Sequence, residues 1–194
     1  MKIKTIAATC ALATLAAHAG AQTYVGIGAG ASHGCTAYGT ASGCGTTDAS
    51  AKALIGYGFA GTDYALEGMV MHLGTLKVDS LDGSVRTDGN LVGVAGAWRP
   101  QFGGGWGGVL RAGAAYGSIK TRYSVTQLGT PISTVSGSTT RDALLPTLGA
   151  GATYAITPTL RLAADWDYAR LRAQPGGRSG ENFNTFTLGA TVGF

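Results

Sequence analysis

Four charged side chains are the residues of this chain best placed to do chemistry together. Glu67, Arg111, Arg161 and Asp165 each alternate with apolar residues along their segments, and Lys52 is a further candidate. Neighbouring side chains of a β-strand point to opposite faces, so these charges share a face that the apolar residues avoid. Charges that are buried together inside a protein must form ion pairs, because an unpaired buried ion costs a large amount of free energy. The pattern therefore predicts a group of buried salt bridges.

The last segment of the chain shows most clearly which solvent surrounds the apolar face. Phe186, Leu188, Ala190, Val192 and Phe194 fall on one parity, and threonine or glycine occupies the other. A sheet in water rarely ends on an uncovered aromatic side chain, whereas lipid covers such a residue in an outer-membrane barrel. We therefore expect the apolar face to contact hydrocarbon and the charged face to line a barrel lumen.

Eight segments carry this kind of pattern. The predicted strands are residues 24–32, 50–59, 64–73, 90–98, 106–118, 144–155, 159–168 and 185–194. Each has roughly the ten residues that a tilted membrane strand needs. The fourth and sixth have apolar residues on both parities, so their facing stays open. The expected fold class is all-β, an eight-stranded antiparallel up-and-down transmembrane β-barrel, and a β-sandwich in water is the alternative.

The first 21 residues are expected to be a signal peptide. Two lysines precede the apolar residues 6–17, and Ala19-Gly20-Ala21 has the small residues that signal peptidase recognises. Residues 17–19 are an alternative cleavage site. The outer-membrane β-barrel domain is then residues 22–194.

The composition agrees with a barrel. The chain has 194 residues, is 45% hydrophobic and contains 33 glycines, yet no segment after residue 21 could form a transmembrane helix. Apolar residues that are frequent but interleaved are typical of strands with one lipid-facing side. The net charge of +4 is dispersed along the chain. A nucleic-acid partner is therefore not expected.

The predicted connections alternate between short and long. Residues 60–63, 99–105 and 156–158 are the short ones, and residues 33–49, 75–89, 119–143 and 169–182 are the long ones. Short turns lie on the periplasmic side of such barrels, and long loops lie outside the cell. Aromatic residues at the periplasmic strand ends then predict an interfacial girdle: Tyr57, Phe59, Tyr64, Trp98, Trp106 and Phe194.

Cys35 and Cys44 both fall in the first long connection. An oxidising periplasm favours a disulfide between them. Closing so short a loop should stabilise the fold by roughly 2–3 kcal/mol in the chain-entropy model. Metal binding is the weaker alternative, because His33 is the one nearby ligand and the set is incomplete. No metal site is predicted.

Basic residues accumulate in the third and fourth long connections. Those expected near the outer strand ends, level with lipopolysaccharide phosphates, are Lys120, Arg122, Arg141, Arg170 and Arg172. Arginine binds phosphate through paired hydrogen bonds. Lipopolysaccharide contact is one hypothesis for these residues, and an ordinary solvated loop surface is the other.

Short motifs carry a family resemblance. Gly56-Tyr57-Gly58-Phe59 with Leu66-Glu67 resembles the second and third strands of the OmpA/OmpX-type eight-stranded outer-membrane barrels. Residues 145–151, 154–157 and 160–162 are similar to that family's sixth and seventh strands. The terminal strand resembles its β-signal, which implies that Phe186 and Phe194 are handles for the barrel-assembly machinery. The peptidoglycan-binding domain of larger members is not expected here.

The resemblance implies a cell outer-membrane protein in contact with lipid and lipopolysaccharide. The expected function is non-enzymatic, needs no cofactor, and consists of a structural or surface-interaction role through long extracellular loops. Two non-enzymatic alternatives stay open. One is an adhesion or serum-resistance protein of the OmpX/Ail kind that binds a host or surface ligand. The other is a narrow gated pore in which lumen charges exchange partners.

A lipid A-modifying enzyme is the remaining alternative. His33 with Asp79 and Ser80 imitates the residue list of the palmitoyltransferase type, but the amphipathic N-terminal helix of that type is missing. His72 falls near the outer end of the third predicted strand, where it is expected to mark the interface. A catalytic triad is recognised by geometry and not by its residue list. No catalytic residue is therefore predicted.

Overall fold

The computed structural model describes residues 22–38, 41–80, 83–127, 133–171 and 181–194. The predicted signal peptide lies outside them. The strands are β1 (Gln22–Tyr38), β2 (Ala41–Gly58), β3 (Tyr64–Ser80), β4 (Gly83–Trp98), β5 (Gln101–Gly103), β6 (Trp106–Gln127), β7 (Ser133–Ala155), β8 (Leu160–Leu171) and β9 (Glu181–Gly193). Within the described ranges, no helix is long and apolar enough to cross a membrane.

The sheet closes into a barrel of eight antiparallel strands. Its order is β4-β3-β2-β1-β9-β8-β7-β6, and β4 pairs with β6 to close the ring. Strand β5 is an addition of three residues that pairs only with the start of β6. It lies in the predicted short connection 99–105. The eight-stranded antiparallel barrel is therefore confirmed, with β5 as a small hairpin at the end that the sequence predicts to be periplasmic.

Alternation sends one set of side chains into the lumen and the other onto the outer wall. Closure of the barrel also decides which side chains face outward in β4 and β7, the two strands whose facing the sequence left open. In β4, Val92 and Val94 are exposed on the outer wall while Leu91 is buried inside. In β7, Leu148 is exposed and Leu145 is buried. The pairing of each strand with two neighbours of known facing fixes these choices, and no single strand contains that information.

Three of the predicted long loops are largely strand. The prediction of loops at residues 33–49, 75–89 and 119–143 is wrong: β6 has 22 residues and β7 has 23, and they pair up to Gln127 and Ser133. The reason is that apolar alternation reports contact with lipid. Beyond the hydrocarbon a strand keeps its backbone hydrogen bonds while its outward side chains become polar.

Gly74 changes the facing of β3 near its outer end. It has a φ of 72°, which favours glycine, and the pairing of β3 with β4 shifts by one residue between His72 and Thr75. Thr75 and Lys77 consequently share the outer face with His72, although their parity in the sequence differs. The bulge therefore adds Lys77 to the outer wall.

The register gives the predicted disulfide a test. Cys35 of β1 lies directly opposite Cys44 of β2, and the Cα atoms of directly opposed residues are about 4.5–5.5 Å apart, within disulfide range. The cysteine side chains lie outside the described residues. We expect purified protein to resist maleimide labelling until it is reduced, by mass spectrometry. Ala37→Cys/Ser42→Cys on a Cys35→Ala/Cys44→Ala background is the matched positive control. Its two cysteines are also directly opposed, so it should resist labelling in the same way. Full labelling without reductant would contradict the pairing.

Phe194 gives a second prediction. Its side chain is 73% exposed on the lipid side, and its backbone N–H donates to the Thr23 carbonyl 2.8 Å away. Phe194→Ser keeps that backbone bond but removes the aromatic that the β-signal resemblance implies is recognised. We expect less barrel in the outer-membrane fraction and nearly unchanged unfolding of refolded protein. Phe102→Ser, also at an exposed aromatic, is the control. Equal losses in the two variants would argue against a role in assembly.

Candidate functional site

Six charged side chains cross the barrel lumen as a continuous series of alternating sign, which we call the charge ladder. In order they are Arg99, Glu67, Arg111, Asp165, Lys52 and Asp167. The Arg111 guanidinium is central: its Nε lies 2.5 Å from Glu67 Oε2 and its Nη1 lies 2.8 Å from Asp165 Oδ1. Three cations balance three anions, so the lumen contains no net charge from these residues.

Lys52 and Asp167 close the extracellular end of the charge ladder. The Lys52 Nζ lies 3.0 Å from Asp165 Oδ2 and 2.6 Å from Asp167 Oδ2. All three residues are buried. At such sites removal of one partner leaves an uncompensated buried charge, so the ladder is a strong constraint on which side chains the lumen accepts.

Tyr24 and Arg99 close the periplasmic end. The Tyr24 hydroxyl donates to Glu67 Oε1 at 2.5 Å, and Arg99 Nη1 lies 3.3 Å from the same oxygen. The Arg99 guanidinium also lies 4.0 Å from the centre of the Tyr24 ring, a cation–π contact. Glu67 therefore accepts from three donors: Tyr24 on β1, Arg99 in the turn after β4, and Arg111 on β6.

Glycines on neighbouring strands leave the space that the ladder occupies. Gly56 pairs with both Tyr24 and Glu67, and a Cβ atom there would come within 2.1 Å of the Tyr24 ring. Gly151 pairs with Asp165, whose Oδ1 would lie 2.4 Å from such a Cβ. Gly149 is likewise opposite Arg111. The motifs that carry the family resemblance thus contain the glycines that make room for charged side chains.

An apolar layer fills the lumen on the extracellular side of the ladder. Leu73, Ile119 and Leu145 are each only 1% exposed. They belong to one buried cluster, which we call the apolar cap: Met71, Leu73, Leu91, Ala115, Ile119, Leu145, Ala169 and Phe183. The cavity between the cap and the ladder measures about 10 Å³, which is about the room for one water molecule. The lumen is packed at both levels.

The structure brings together three of the four predicted lumen charges, Glu67, Arg111 and Asp165, along with Lys52. Arg161 departs from the expectation. It is the second residue of β8, below the level of the ladder, and its Nη1 donates to Gln101 Oε1 at 2.6 Å at the periplasmic mouth. Parity correctly gave its inward side but not its height.

Sequence reasoning missed Tyr24, Arg99 and Asp167 as members of the lumen site. Asp167 has the same inward parity as Asp165, but nothing in the sequence connects it to the charges around it. Arg99 fell in a predicted turn, where parity gives no facing. A residue count from the strand ends would have put Tyr24 and Glu67 at similar heights, but only the ring closure brings them into contact.

The predicted rim cations lie on different faces. Lys120, Arg122 and Arg170 are exposed on the outer wall, whereas Arg141 pairs with the inward-facing Ile119 and is exposed at the mouth of the barrel. Arg172 lies outside the described residues. Arg122 Nη1 forms an ion pair with Asp88 Oδ2 at 2.6 Å.

The predicted aromatic girdle is exposed at the periplasmic end of the outer wall, and it has two members that sequence analysis missed. Phe102 of β5 is 70% exposed beside Gly108, and Tyr154 packs on Trp106 with ring centres 5.0 Å apart. Aromatic rings at this level anchor a barrel at the membrane interface.

The histidines do not assemble a catalytic group with the described side chains. His33 and His72 are both exposed on the outer wall, and His72 Nδ1 lies 2.8 Å from Asn90 Oδ1. The side chains of Asp79 and Ser80 lie outside the described residues. Among the described residues, no cluster of three or more His, Cys, Asp or Glu residues could hold a metal ion.

The sequence matches the family described as outer membrane protein beta-barrel domain over residues 5–194. This chain belongs to that family. Its localisation is therefore the outer membrane, in agreement with the closed eight-stranded barrel and its exposed apolar wall.

Solved outer-membrane barrels have the same fold. Neisserial surface protein A is 18% identical, with 89% of this chain and 97% of that chain covered and a TM-score of 0.58. The attachment invasion locus protein Ail of Yersinia pestis is 16% identical, with 90% and 99% covered and a TM-score of 0.56. A major outer membrane protein of Thermus thermophilus is 14% identical, with 91% and 100% covered and a TM-score of 0.60.

At these identities the likeness shows the barrel fold alone. Comparison with curated protein sequences gave no match.

The charge ladder predicts that Arg111 is essential for stability. Arg111→Met keeps much of the side-chain volume but leaves Glu67 and Asp165 short of a cation, so we expect the free energy of unfolding to fall by about 3–5 kcal/mol. Urea unfolding in phospholipid vesicles, followed by tryptophan fluorescence, measures it. Arg170→Met, on the exposed outer wall, should change stability by less than about 0.5 kcal/mol. Losses of similar size in both variants would contradict the ladder's structural role.

Proposed function

We propose that this protein is a non-enzymatic outer-membrane barrel with a closed lumen, whose function is exerted by its extracellular end. The observation that carries the proposal is the packed lumen. A barrel of eight strands has an interior just wide enough for side chains to fill, and here a neutral ladder and an apolar cap fill it in series. The role proposed is structural and interactive, without transport.

The length of the strands supports a role at the cell surface. A membrane strand needs about 9–11 residues, whereas β6 and β7 have 22 and 23. About half of each strand therefore extends past the hydrocarbon on the extracellular side. A paired β-ribbon of that length presents side chains at fixed positions, which suits contact with another surface better than an irregular loop does.

A host-surface ligand is the second candidate for that extracellular end. The extended ribbon of β6 and β7 is the observation that favours it. Ail, which has the same barrel fold, has been solved in complex with the heparin analogue sucrose octasulfate. For this chain the proposal is limited to a surface contact made through the ribbon and its neighbours.

Lipopolysaccharide is the partner we propose at the outer rim. Lys120 and Arg122 project from the outer wall just beyond the last lipid-facing apolar residue of β6, where phosphates of the outer leaflet would lie. Tyr116 is the last such residue of β6, and Lys120 follows it by four positions. At about 3.3 Å per residue and a tilt near 40°, this is about 10 Å along the membrane normal.

The closed lumen predicts the outcome of planar-bilayer recording. We expect no sustained conductance for the refolded wild type. Because the apolar cap closes the lumen independently of the ladder, Glu67→Ala and Arg111→Ala that retain the folded barrel's mobility on unheated gels should also stay silent. A general porin reconstituted in parallel is the positive control. Discrete steady openings in the wild type, or their appearance in either variant, would favour the gated pore instead.

A further inference from the structure

One sector of the outer wall changes from apolar to basic in ordered rows. On β3, β4 and β6 the directly paired outward residues form successive rows towards the cell exterior: Val70–Val92–Tyr116, His72–Asn90–Ser118, Thr75–Asp88–Lys120 and Lys77–Arg86–Arg122. The first row is apolar and the second is polar. The last two contain four cations and one acid, and we call them the basic rows.

Direct pairing makes the basic rows electrostatically unusual. Arg86 lies directly opposite both Lys77 and Arg122, so three cations adjoin across three neighbouring strands. Like charges in directly opposed positions destabilise a sheet. Asp88 offsets part of this repulsion, since it accepts from Arg122 and, at 2.6 Å, from the Thr75 hydroxyl. The next acids are Asp79 of β3, two residues beyond Lys77 and opposite Ser84, and Asp142 of β7, at the edge of the rows opposite Ser118.

A groove lies in the wall directly below the basic rows. It is open, measures about 640 Å³, and has an almost entirely apolar lining that includes Ile27, Ala53, Val70, Val92 and Tyr116. The small side chain of Ala53 forms part of its floor, while His72, Asn90 and Ser118 mark its extracellular edge. The groove is continuous with the lipid-facing wall, so an acyl chain of the outer leaflet can enter it without crossing a polar layer.

We propose that this sector is a binding site for one phosphorylated glycolipid of the outer leaflet, with its phosphate on the basic rows and an acyl chain in the groove. The proposal rests on the lipopolysaccharide contact proposed above and narrows it to one face of the barrel. Charge complementarity supplies the phosphate partner, and the apolar groove immediately beneath supplies the place for the chain attached to it. A bound phosphate also offsets the repulsion between Arg86 and its neighbours.

The opposite wall lacks this arrangement. On β8 and β9 the corresponding height is occupied by Trp166 and Tyr168, which donate to Asn184 and Asn182. Arg170 is paired with Asn182, so its row contains an amide where the basic rows contain a second cation. Arg170 is therefore a matched control, being an exposed outward cation at the extracellular end of the wall.

The test measures lipid A retained per barrel by native mass spectrometry. Full refolded barrels are extracted from phosphatidylcholine vesicles containing bisphosphorylated lipid A. Arg86→Gln/Lys120→Gln keeps the Arg122–Asp88 ion pair and should lower retention about thirtyfold, since each of the two cations removed contributes about 1 kcal/mol to anionic lipid binding. Arg170→Gln should change retention less than twofold. Heat-dependent gel mobility checks that each variant is folded.

Two further variants distinguish binding from a general effect on the barrel. Asp88→Asn removes the acid of the basic rows, so it should raise retention, whereas a merely disruptive change would lower it. Ala53→Phe fills the groove and should lower retention of lipid A, while Ala164→Phe on the opposite lipid-facing wall should not. Binding of the deacylated phosphorylated disaccharide should be much weaker than binding of lipid A.

The outcomes separate this site from the broader proposal. If the wild type retains no lipid A, the proposed lipopolysaccharide contact itself fails. If it does retain lipid A but Arg86→Gln/Lys120→Gln and Arg170→Gln lower retention equally, the general contact stands and the specific site is overturned. Equal binding of lipid A and its deacylated form, or no effect of Ala53→Phe, would also overturn the site as drawn.

Discussion

The width of the lumen is the constraint on which the rest of the structure depends. An eight-stranded ring leaves inside it only the space of its own side chains, so no bulk water is present to solvate a charge. The inward charges must therefore satisfy one another, and the ladder from Arg99 to Asp167 does so with equal numbers of each sign. Each long charged side chain also needs an adjacent small residue, which explains Gly56, Gly149 and Gly151.

The same alternation that fills the lumen also orders the outer wall, where the type of side chain changes from the periplasmic to the extracellular end. Aromatic residues mark the periplasmic interface, aliphatic residues face the hydrocarbon, and polar and then charged residues follow towards the exterior. The same strands form both the lumen and the outer wall, because every residue turned inward leaves its neighbours turned outward. Because side chains pack the lumen, we propose that the protein acts on its surroundings through its wall and rim.

Sequence reasoning was correct for the segments in which contact with lipid imposes an alternation of apolar and small or polar residues. The apolar parity of β9 and the inward side of Glu67, Arg111 and Asp165 could be read directly, since a lipid-facing position tolerates few polar residues. It failed where lipid was absent. Local pattern predicts loops for the extracellular halves of β6 and β7, because β7 is rich in Ser and Thr there and because the outward positions of β6 carry Lys120 and Arg122 in place of lipid-facing residues. It also groups Arg161 with charges that its height on β8 does not let it reach.

The sequence by itself determined the solvent, the strand count and the facing of most strands, because a two-residue period beside hydrocarbon leaves little freedom. Only the tertiary structure decided which residues meet. Register sets height, and ring closure brings β1, β3 and β6 around one carboxylate at Glu67. The bulge at Gly74 turned Lys77 outward, and three strands aligned it with Arg86 and Arg122. Such contacts depend on the relative shift of strands far apart in the chain, which no local pattern records.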